Sequence, residues 1–310
     1  MYVEIRQIGK KKKYYLAHSF REGEKIHKIR RFLGIDLSHK EVEKLSIRAE
    51  EIIRQQLNSY RIIRDPLKEE ISANEVALLD QLIGKQDVSI PMTEKDWTTF
   101  STLFTYDTNA IEGSTLIQRE VAGILEKNVW PDKPKYDIAE AYGVAEALKT
   151  VRKTKEVLSV GLMKKLHRIV FKNSKSFAGR FRPKGTEVVI RDGTGSIIHM
   201  GAPSNRVVGL LQELVTWYKE NKSKHNPLLL AAVVHNQFEN IHPFQDGNGR
   251  VGRLLLNFVL LKHKLPPVSI HFHNRKEYYA SLKAYQKESN LRPTIDLLLK
   301  EYKHLRKDLR

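Results

Sequence analysis

The pattern of apolar and polar positions changes near residue 37. Before that point, β-branched and aromatic residues alternate with polar ones, which is the period of a strand. Three such stretches occur, at Tyr2–Ile8, Tyr14–Phe20 and Lys25–Phe32. Hairpin-forming residues separate them, at 9–11 and 22–24, and Gly34 is expected to end the last strand. We therefore predict a three-stranded antiparallel β meander as a domain of residues 1–37.

Beyond residue 37 the apolar positions recur every three or four residues, as in amphipathic helices. Ser38 is the expected N-cap of a helix that begins near His39. Further helices are predicted at Ala73–Leu82, Asp96–Ala110, Ile117–Lys127, Ile138–Val151, Val160–Phe171, Val207–Glu220, Leu228–Asn240, Asn248–His263 and Arg275–Tyr285. The chain should be mainly α, with a helical bundle over residues 38–310.

Residues 187–200 break this helical period. Two apolar runs, Val188-Val189-Ile190 and Ile197-Ile198, flank a stretch rich in turn-forming residues at 191–195. Apolar runs on either side of such a turn are typical of a β-hairpin. We therefore predict an isolated hairpin within the helical region.

Composition narrows the classes of function. The chain has 310 residues and a net charge of +18, which favours anionic partners such as nucleic acids, acidic proteins or nucleotide phosphates. Residues 1–36 hold ten Lys or Arg and four Asp or Glu, a net charge of +6. Cysteine is absent, which excludes disulfides, thiolate zinc sites and a thiol nucleophile, and agrees with a cytoplasmic location.

No membrane segment is expected. The longest apolar run, Leu228–Val234, is much shorter than the roughly 20 residues that a membrane-spanning helix needs. At the N-terminus the basic run follows the apolar residues, an order that does not predict a signal peptide.

The densest group of chemically useful residues is HPFQDGNGRVGR, residues 242–253. It joins one predicted helix to the next, which begins near Asn248, so free backbone N–H groups should face outward there. Gly247 and Gly249 would let a phosphate approach this backbone closely. Arg250 and Arg253 are three residues apart in the first turn, so we expect them to share a face and bind further phosphate oxygens. The pattern predicts a polyphosphate site.

Two neighbouring residues add chemistry to this site. Asp246 offers a hard oxygen ligand, and Mg²⁺ is usually held by one or two carboxylates together with substrate phosphates. His242 can accept a proton near neutral pH and is therefore the candidate general base. The segment also satisfies G-x-G-x-x-G, but a helix and turn precede it instead of a strand, so a dinucleotide-binding fold is not predicted.

Residues 242–253 match the signature H-x-F-x-D/E-G-N-G-R-x-x-R at every fixed position and so resemble the Fic family. The similarity extends from about Asp107 to the C-terminus. It implies a helical Fic core at about residues 138–286, and a hairpin flap at 186–200 that aligns a target peptide by strand addition. The flap residues implied are Val188, Val189, Ile190, Ile197 and Ile198.

The resemblance also implies a reaction. In such an enzyme, His242 would deprotonate a Ser, Thr or Tyr hydroxyl of a target protein, which then attacks the α-phosphate of ATP and releases pyrophosphate. Asp246 would hold Mg²⁺ or Mn²⁺, and Tyr279 aligns with an aromatic residue near the adenine. The implied phosphate-binding residues are Gly247, Asn248, Gly249, Arg250 and Arg253. The implied function is thus that of a protein adenylyltransferase.

A second match lies upstream, at residues 108–113. The sequence TNAIEG resembles the family's inhibitory motif, S/T-x-x-x-E-G/N, on a helix expected at about 96–113. Thr108 and Glu112 would share a helix face. The resemblance implies that Glu112 pairs with Arg253 and prevents productive binding of the γ-phosphate. In some relatives the same glutamate helps water to remove AMP, and relatives of this subgroup often form homodimers.

Alternatives remain open from the sequence. A Fic-type enzyme could transfer another group, such as UMP, GMP, phosphate or phosphocholine. A different class of function is a nucleic-acid-associated regulator that binds through residues 1–36, although a basic edge strand explains those lysines more simply. His235, His271 and His273 have no matching carboxylate cluster in the sequence, so we predict structural roles for them.

Overall fold

The computed structural model describes residues 1–22, 25–64, 73–84, 91–183, 186, 188–191 and 197–309. The strands in these ranges are β1 Tyr2–Ile8, β2 Lys11–Glu22, β3 Lys25–Ile35, β4 Val189–Arg191 and β5 Ile197–Met200. The α-helices in the same ranges are α1 His39–Arg64, α2 Ala73–Gly84, α3 Glu94–Ile111, α4 Gln118–Lys127, α5 Lys135–Lys153, α6 Val160–Phe171, α7 Val207–Asn221, α8 Pro227–Ile241, α9 Asn248–Lys262, α10 Arg275–Glu288 and α11 Arg292–Asp308. The protein is mainly α, as predicted.

The N-terminal strands form an antiparallel sheet in the order β1-β2-β3. The prediction that Gly34 ends the last strand is wrong, because Gly34 pairs with Tyr14 and β3 continues to Ile35. The register shifts between Tyr14 and Tyr15, and a glycine fits such an irregularity because it has no side chain to pack.

The sheet shares a small core with α1. Leu16 and Ile29 of the sheet are buried together with Ala49 and Ile53 of the helix. Ser38 bonds to Glu41 at the start of α1, with 3.4 Å between the Glu41 nitrogen and the Ser38 hydroxyl. Although the β-to-α transition lies near residue 37, the apolar packing therefore continues across it.

Helices α8 and α9 form the centre of the main core. All residues from Leu228 to Ile241 and from Asn248 to Leu260 are buried. A helix that is buried on every side lacks a polar face, which explains the continuous apolar run in α8. Helices α3, α5, α6, α7, α10 and α11 pack around this pair. The loop 242–247 is thus held at both ends by the most buried helices.

Two other features complete the fold. The predicted hairpin has strands β4 and β5, with Val189 paired to Met200, while residues 187 and 192–196 lie outside the described residues. Helix α11 was not predicted, although Ile295, Leu298, Tyr302 and Leu305 recur at helical spacing and are buried. Within the described ranges, we find no helix that is both long and apolar enough to cross a membrane.

A close contact between α5 and α6 gives a test of this packing. A Cβ atom at Gly143 would lie 2.2 Å from the Val170 carbonyl oxygen, whereas one at Gly209 in α7 would meet nothing within 4 Å. We expect Gly143→Ala to lower the free energy of unfolding by about 1–3 kcal/mol, because backbone atoms must move apart. The matched control Gly209→Ala should raise it by roughly 0.5–1 kcal/mol. Urea denaturation measures both, and equal stability of the two variants would contradict the contact.

Candidate active site

The loop between α8 and α9 borders a cavity of about 490 Å³. This volume lies within the usual range of about 300–1,000 Å³ for small-molecule sites. The described residues that line it are Glu112, Val188, Glu239, Asn240, His242, Gln245, Asp246, Gly247, Asn248, Gly249, Tyr278, Tyr279, Leu282, Lys283 and Gln286. The cavity thus brings together the candidate base, the candidate metal ligand, the glycine loop and the upstream glutamate.

His242 ends helix α8 in a left-handed conformation, with φ of 50°. Such a conformation is costly for a residue other than glycine and needs support from its surroundings. Here the His242 carbonyl accepts a hydrogen bond from Arg182 Nε at 2.8 Å, and Nδ1 lies 3.3 Å from the Glu239 carbonyl oxygen. If Nδ1 donates to that carbonyl, Nε2 carries the lone pair that a general base needs.

Arg182 was missed by the sequence prediction, although it is a buried cation in direct contact with this loop. Its guanidinium also donates to the carbonyl oxygens of Thr186, at 2.7 Å, and of Ala202. These residues flank the hairpin on its two sides. Arg182 therefore connects the base of the hairpin with the backbone of His242.

The loop is fixed internally by Asn248 and Phe244. The Asn248 side chain accepts from the Phe244 nitrogen at 2.8 Å and donates to the Phe244 carbonyl at 2.9 Å. The fully buried Phe244 ring stacks on His167, with 3.8 Å between ring centroids. Burial lowers the pKa of His167 to about 4, so this imidazole is neutral at pH 7. It bonds to the Asp246 carbonyl oxygen at 3.0 Å.

Asp246 is the most accessible charged group of the loop, with 42% of its side chain exposed. Its carboxylate lies 3.1 Å from Lys175 Nζ and 3.6 Å from Arg250 Nη2. Partial burial raises the pKa of Asp246, but Arg250 and Lys175 outweigh that effect, and the net result is a lowered pKa. An ionised, accessible carboxylate beside a candidate phosphate-binding loop is a suitable ligand for Mg²⁺.

Arg250 and Arg253 pair with different carboxylates, Glu140 and Glu112. Arg250 forms a buried ion pair with Glu140 of α5, and its guanidinium lies 4.5 Å from the Phe171 ring centroid. Neither arginine is among the described residues that line the cavity. The assignment of both to phosphate oxygens stays a prediction, and in this conformation carboxylates occupy their guanidinium groups.

Arg253 is 2% exposed and is surrounded by acceptors. It donates to the Thr108 hydroxyl at 2.7 Å, the Thr108 carbonyl at 3.0 Å and Glu112 Oε1 at 2.7 Å. The Tyr278 hydroxyl lies 3.2 Å from its Nη1. The structure thus places Thr108, Glu112 and Arg253 in direct contact, in the pairing that the upstream motif implied.

Gly247 of the loop, and Gly249 and Gly252 of α9, fit these neighbours closely. A Cβ atom at Gly249 would lie 2.1 Å from Glu112 Oε1, and one at Gly252 would lie 2.1 Å from Glu239 Oε1. At Gly247, whose φ is +82°, it would lie 2.2 Å from the Phe171 ring. Gly249 therefore provides the space in which the Glu112 carboxylate lies.

Glu239 is a second carboxylate that the sequence prediction missed. It is buried, lines the cavity, and its Oε1 makes no hydrogen bond to the described part of the chain. Burial raises the pKa of Glu239 to about 8, although nearby Arg253 opposes this shift. A signal was present in the sequence, because Glu239 is the single acidic residue of helix α8, which begins with a continuous apolar run.

Tyr279 and the hairpin border the cavity from other sides. The Tyr279 hydroxyl donates to the Ile111 carbonyl at 3.1 Å, while 41% of the residue remains exposed. Val188 lines the cavity. The other implied flap residues, Val189, Ile190, Ile197 and Ile198, lie on β4 and β5.

The remaining histidines differ from one another. His235 is fully buried and bonds to the Tyr278 hydroxyl at 3.1 Å, a structural contact. The sequence-based prediction that His271 lacks a matching carboxylate cluster is wrong, because Glu301 and Asp308 lie beside it. Both carboxylates belong to α11, the helix that the sequence prediction missed.

Comparison with known proteins is consistent with this geometry. A family model described as "Fic/DOC family" matches residues 157–260. The chain is 31% identical over 198 residues to "Protein adenylyltransferase fic-1" of Caenorhabditis elegans, covering 58% of this chain and 35% of that protein. It is 33% identical over 198 residues to "Protein adenylyltransferase Fic" of Nematostella vectensis, covering 61% and 44%. The chain thus spans less than half of the length of these relatives.

Solved structures share the fold. Fic-1 from C. elegans superposes with a TM-score of 0.61 at 27% identity, covering 88% of this chain and 78% of that one. A Fic domain containing signaling protein from Bacteroides thetaiotaomicron superposes with a TM-score of 0.60 at 25% identity, covering 74% and 92%.

The buried Glu239 carboxyl leads to a pH-dependent prediction. Its pKa is about 8 in the folded protein against 4.5 as the reference value, so the folded state retains a proton that the unfolded state releases between these values. The stability contributed by this proton is complete below pH 4.5 and is lost as pH rises to about 8. The isosteric Glu239→Gln has no such proton. We expect its free energy of unfolding, relative to wild type, to increase by up to about 1.4 kcal/mol per pH unit in this window.

Chemical denaturation at pH 6, 7, 8 and 9 measures the difference between the two proteins. Groups that titrate in both proteins cancel in this comparison. A difference that does not change with pH would show that Glu239 is ionised in the folded protein.

Proposed function

Because residues 157–260 match the model described as "Fic/DOC family", we propose that this chain is a protein adenylyltransferase, which transfers AMP from ATP to a Ser, Thr or Tyr hydroxyl of a protein. The observation that carries this proposal is that His242, Asp246 and the glycine loop line one cavity at the N-terminus of α9. A base, a cation ligand and a phosphate-binding helix end are the groups that nucleotidyl transfer to a hydroxyl needs.

His242 is the proposed base. Its backbone is held by Arg182 and its ring by the Glu239 carbonyl, so the imidazole is oriented before the target binds. It accepts the proton of the hydroxyl as that oxygen attacks the α-phosphate. The bond from the α-phosphate to the bridging oxygen of pyrophosphate breaks, and pyrophosphate leaves.

The phosphates are proposed to lie against the backbone at residues 247–249. The exposed N–H groups at a helix N-terminus favour anions. Asp246 would hold Mg²⁺ or Mn²⁺, because its carboxylate is ionised and accessible. When bound, the ion would neutralise phosphate charge and orient the α-phosphate.

Autoinhibition by Glu112 is part of the proposal. The Glu112 carboxylate occupies the guanidinium of Arg253, which the resemblance assigns to the γ-phosphate. A carboxylate and a phosphate compete for the same pair of donors, so one must leave before the other can bind. A bound target would lie along the hairpin near Val188, by adding a strand to β4 or β5.

Removal of the glutamate should release this inhibition. We expect Glu112→Gly, incubated with ATP and Mg²⁺, to add AMP to itself or to proteins of a lysate, because Arg253 becomes free. Intact-mass and peptide mass spectrometry detect the adduct. No adduct on any protein, with helical content retained by circular dichroism, would contradict both the donor and the inhibitory role.

The matched control is Glu112→Gly combined with His242→Ala. Loss of a general base lowers the rate of proton transfer by about 10²- to 10⁴-fold, so labelling by the double variant should fall by this factor. Equal labelling by the single and double variants would show that His242 is not the base.

Competition between donors tests the nucleotide. With Glu112→Gly, we expect unlabelled ATP to suppress labelling by radioactive ATP, and equal concentrations of GTP or UTP to suppress it less. The readout is the radioactivity bound to protein. Stronger competition by GTP or UTP would show that the transferred group is GMP or UMP instead of AMP. The proposed phosphate-binding role of the loop would not be affected.

A further inference from the structure

A second group of ionisable side chains lies outside the cavity, where the residues preceding α10 meet α11. It consists of His271, Glu301 and His304, which we call the C-terminal cluster. His271 Nδ1 lies 2.5 Å from Glu301 Oε2, and His304 Nδ1 lies 3.2 Å from the same oxygen. One ligand atom from each of the three residues lies within 4.8 Å of the others. Three side chains thus converge on one point.

The types of atom in this cluster favour one class of ion. Two imidazole nitrogens and one carboxylate oxygen form a common zinc ligand set, whereas Mg²⁺ and Ca²⁺ prefer oxygen ligands throughout. At metal–ligand distances of about 2.0–2.2 Å, tetrahedral ligand atoms lie roughly 3.3–3.5 Å apart. The spacing between His304 and Glu301 nearly meets this requirement, and His271 and Glu301 would need to separate by roughly 1 Å.

Neighbouring residues already orient these ligands. Asp308 Oδ2 lies 3.1 Å from His271 Nε2, the ring nitrogen opposite the one that faces Glu301. A carboxylate on the far nitrogen is the usual outer partner of a metal-bound histidine. Asn274 Nδ2 donates to Glu301 Oε1 at 2.8 Å, which leaves Oε2 directed at the two imidazoles. The outer partners expected of a metal site are therefore present.

An ion can reach the C-terminal cluster from the solvent through its two partly exposed histidines. The Glu301 side chain is fully buried, whereas 15% of the His271 side chain and 25% of the His304 side chain are exposed. The exposed His273 ring lies 5.5 Å from the His304 ring, measured between centroids. His273 or water can therefore supply a fourth ligand from the solvent side.

We propose that His271, Glu301 and His304 bind a divalent transition-metal ion of the zinc class, with Asp308 and Asn274 as outer partners. This site is separate from the nucleotide cavity and does not depend on the proposed function. A bound ion would fasten α11 to the segment at residues 269–274. That segment is itself bonded to α3, because Asp107 accepts from the Ser269 hydroxyl at 2.8 Å and from the Phe272 nitrogen at 3.0 Å.

The test uses the full chain without an affinity tag, treated with EDTA and then titrated with Zn²⁺ alone. We expect binding of one equivalent and a rise of about 5 °C in Tm at a free Zn²⁺ concentration of about 100 times the Kd. Co²⁺ should give the visible absorption bands of a four-coordinate ion. Absence of stoichiometric binding in the wild type would overturn the proposal.

Three variants separate this site from adventitious binding. His304→Ala should weaken Zn²⁺ binding by at least about 10-fold and abolish the Co²⁺ bands, and Asp308→Asn should weaken binding by about 10-fold. The control is His39→Ala, which removes an exposed histidine that also faces a glutamate, Glu43 at 3.5 Å, and it should bind as the wild type does. Zn²⁺ binding by His304→Ala that equals the wild type, with unchanged circular dichroism, would place the ion elsewhere.

Discussion

The candidate active site depends on one constraint, which is that the buried cation Arg253 needs an anionic partner. Arg253 lies in the first turns of α9 and is almost fully buried, and a buried charge is tolerated when its donors are satisfied. Thr108 lies in α3, Glu112 directly follows that helix, and Tyr278 comes from α10, so one guanidinium joins three helices around the cavity. If Glu112 withdrew, another anion would have to replace it. The same electrostatic requirement thus favours either the glutamate or a phosphate.

The two glycines near the start of α9 reflect the same requirement. From the sequence, Gly249 was expected to admit a phosphate, and the structure shows the Glu112 carboxylate beside it. Gly252 lies in the same way against Glu239, which carries a proton at neutral pH. Both glycines leave space for acidic side chains that approach α9. The absence of side chains there accommodates the contact between Glu112 and Arg253 as well as the proposed nucleotide complex.

Periodicity predicted the meander and the helices other than α11, because both depend on residues that are close in the sequence. It did not predict the partners of the site residues, because these lie far apart in the chain. Arg250 pairs with Glu140, and Arg182 holds His242. No local pattern encodes such contacts, which arise only when helices pack. The C-terminal cluster was missed for the same reason, since its carboxylate comes from α11.

Arg182 has a mechanical consequence. Its guanidinium bonds to backbone oxygens on both sides of the hairpin, at Thr186 and Ala202, and to the carbonyl of His242. A displacement of the hairpin would therefore distort the hydrogen bond between Arg182 and His242, which supports the left-handed backbone of His242. Because Arg182 is bonded to both, the hairpin and the backbone of His242 would be displaced together.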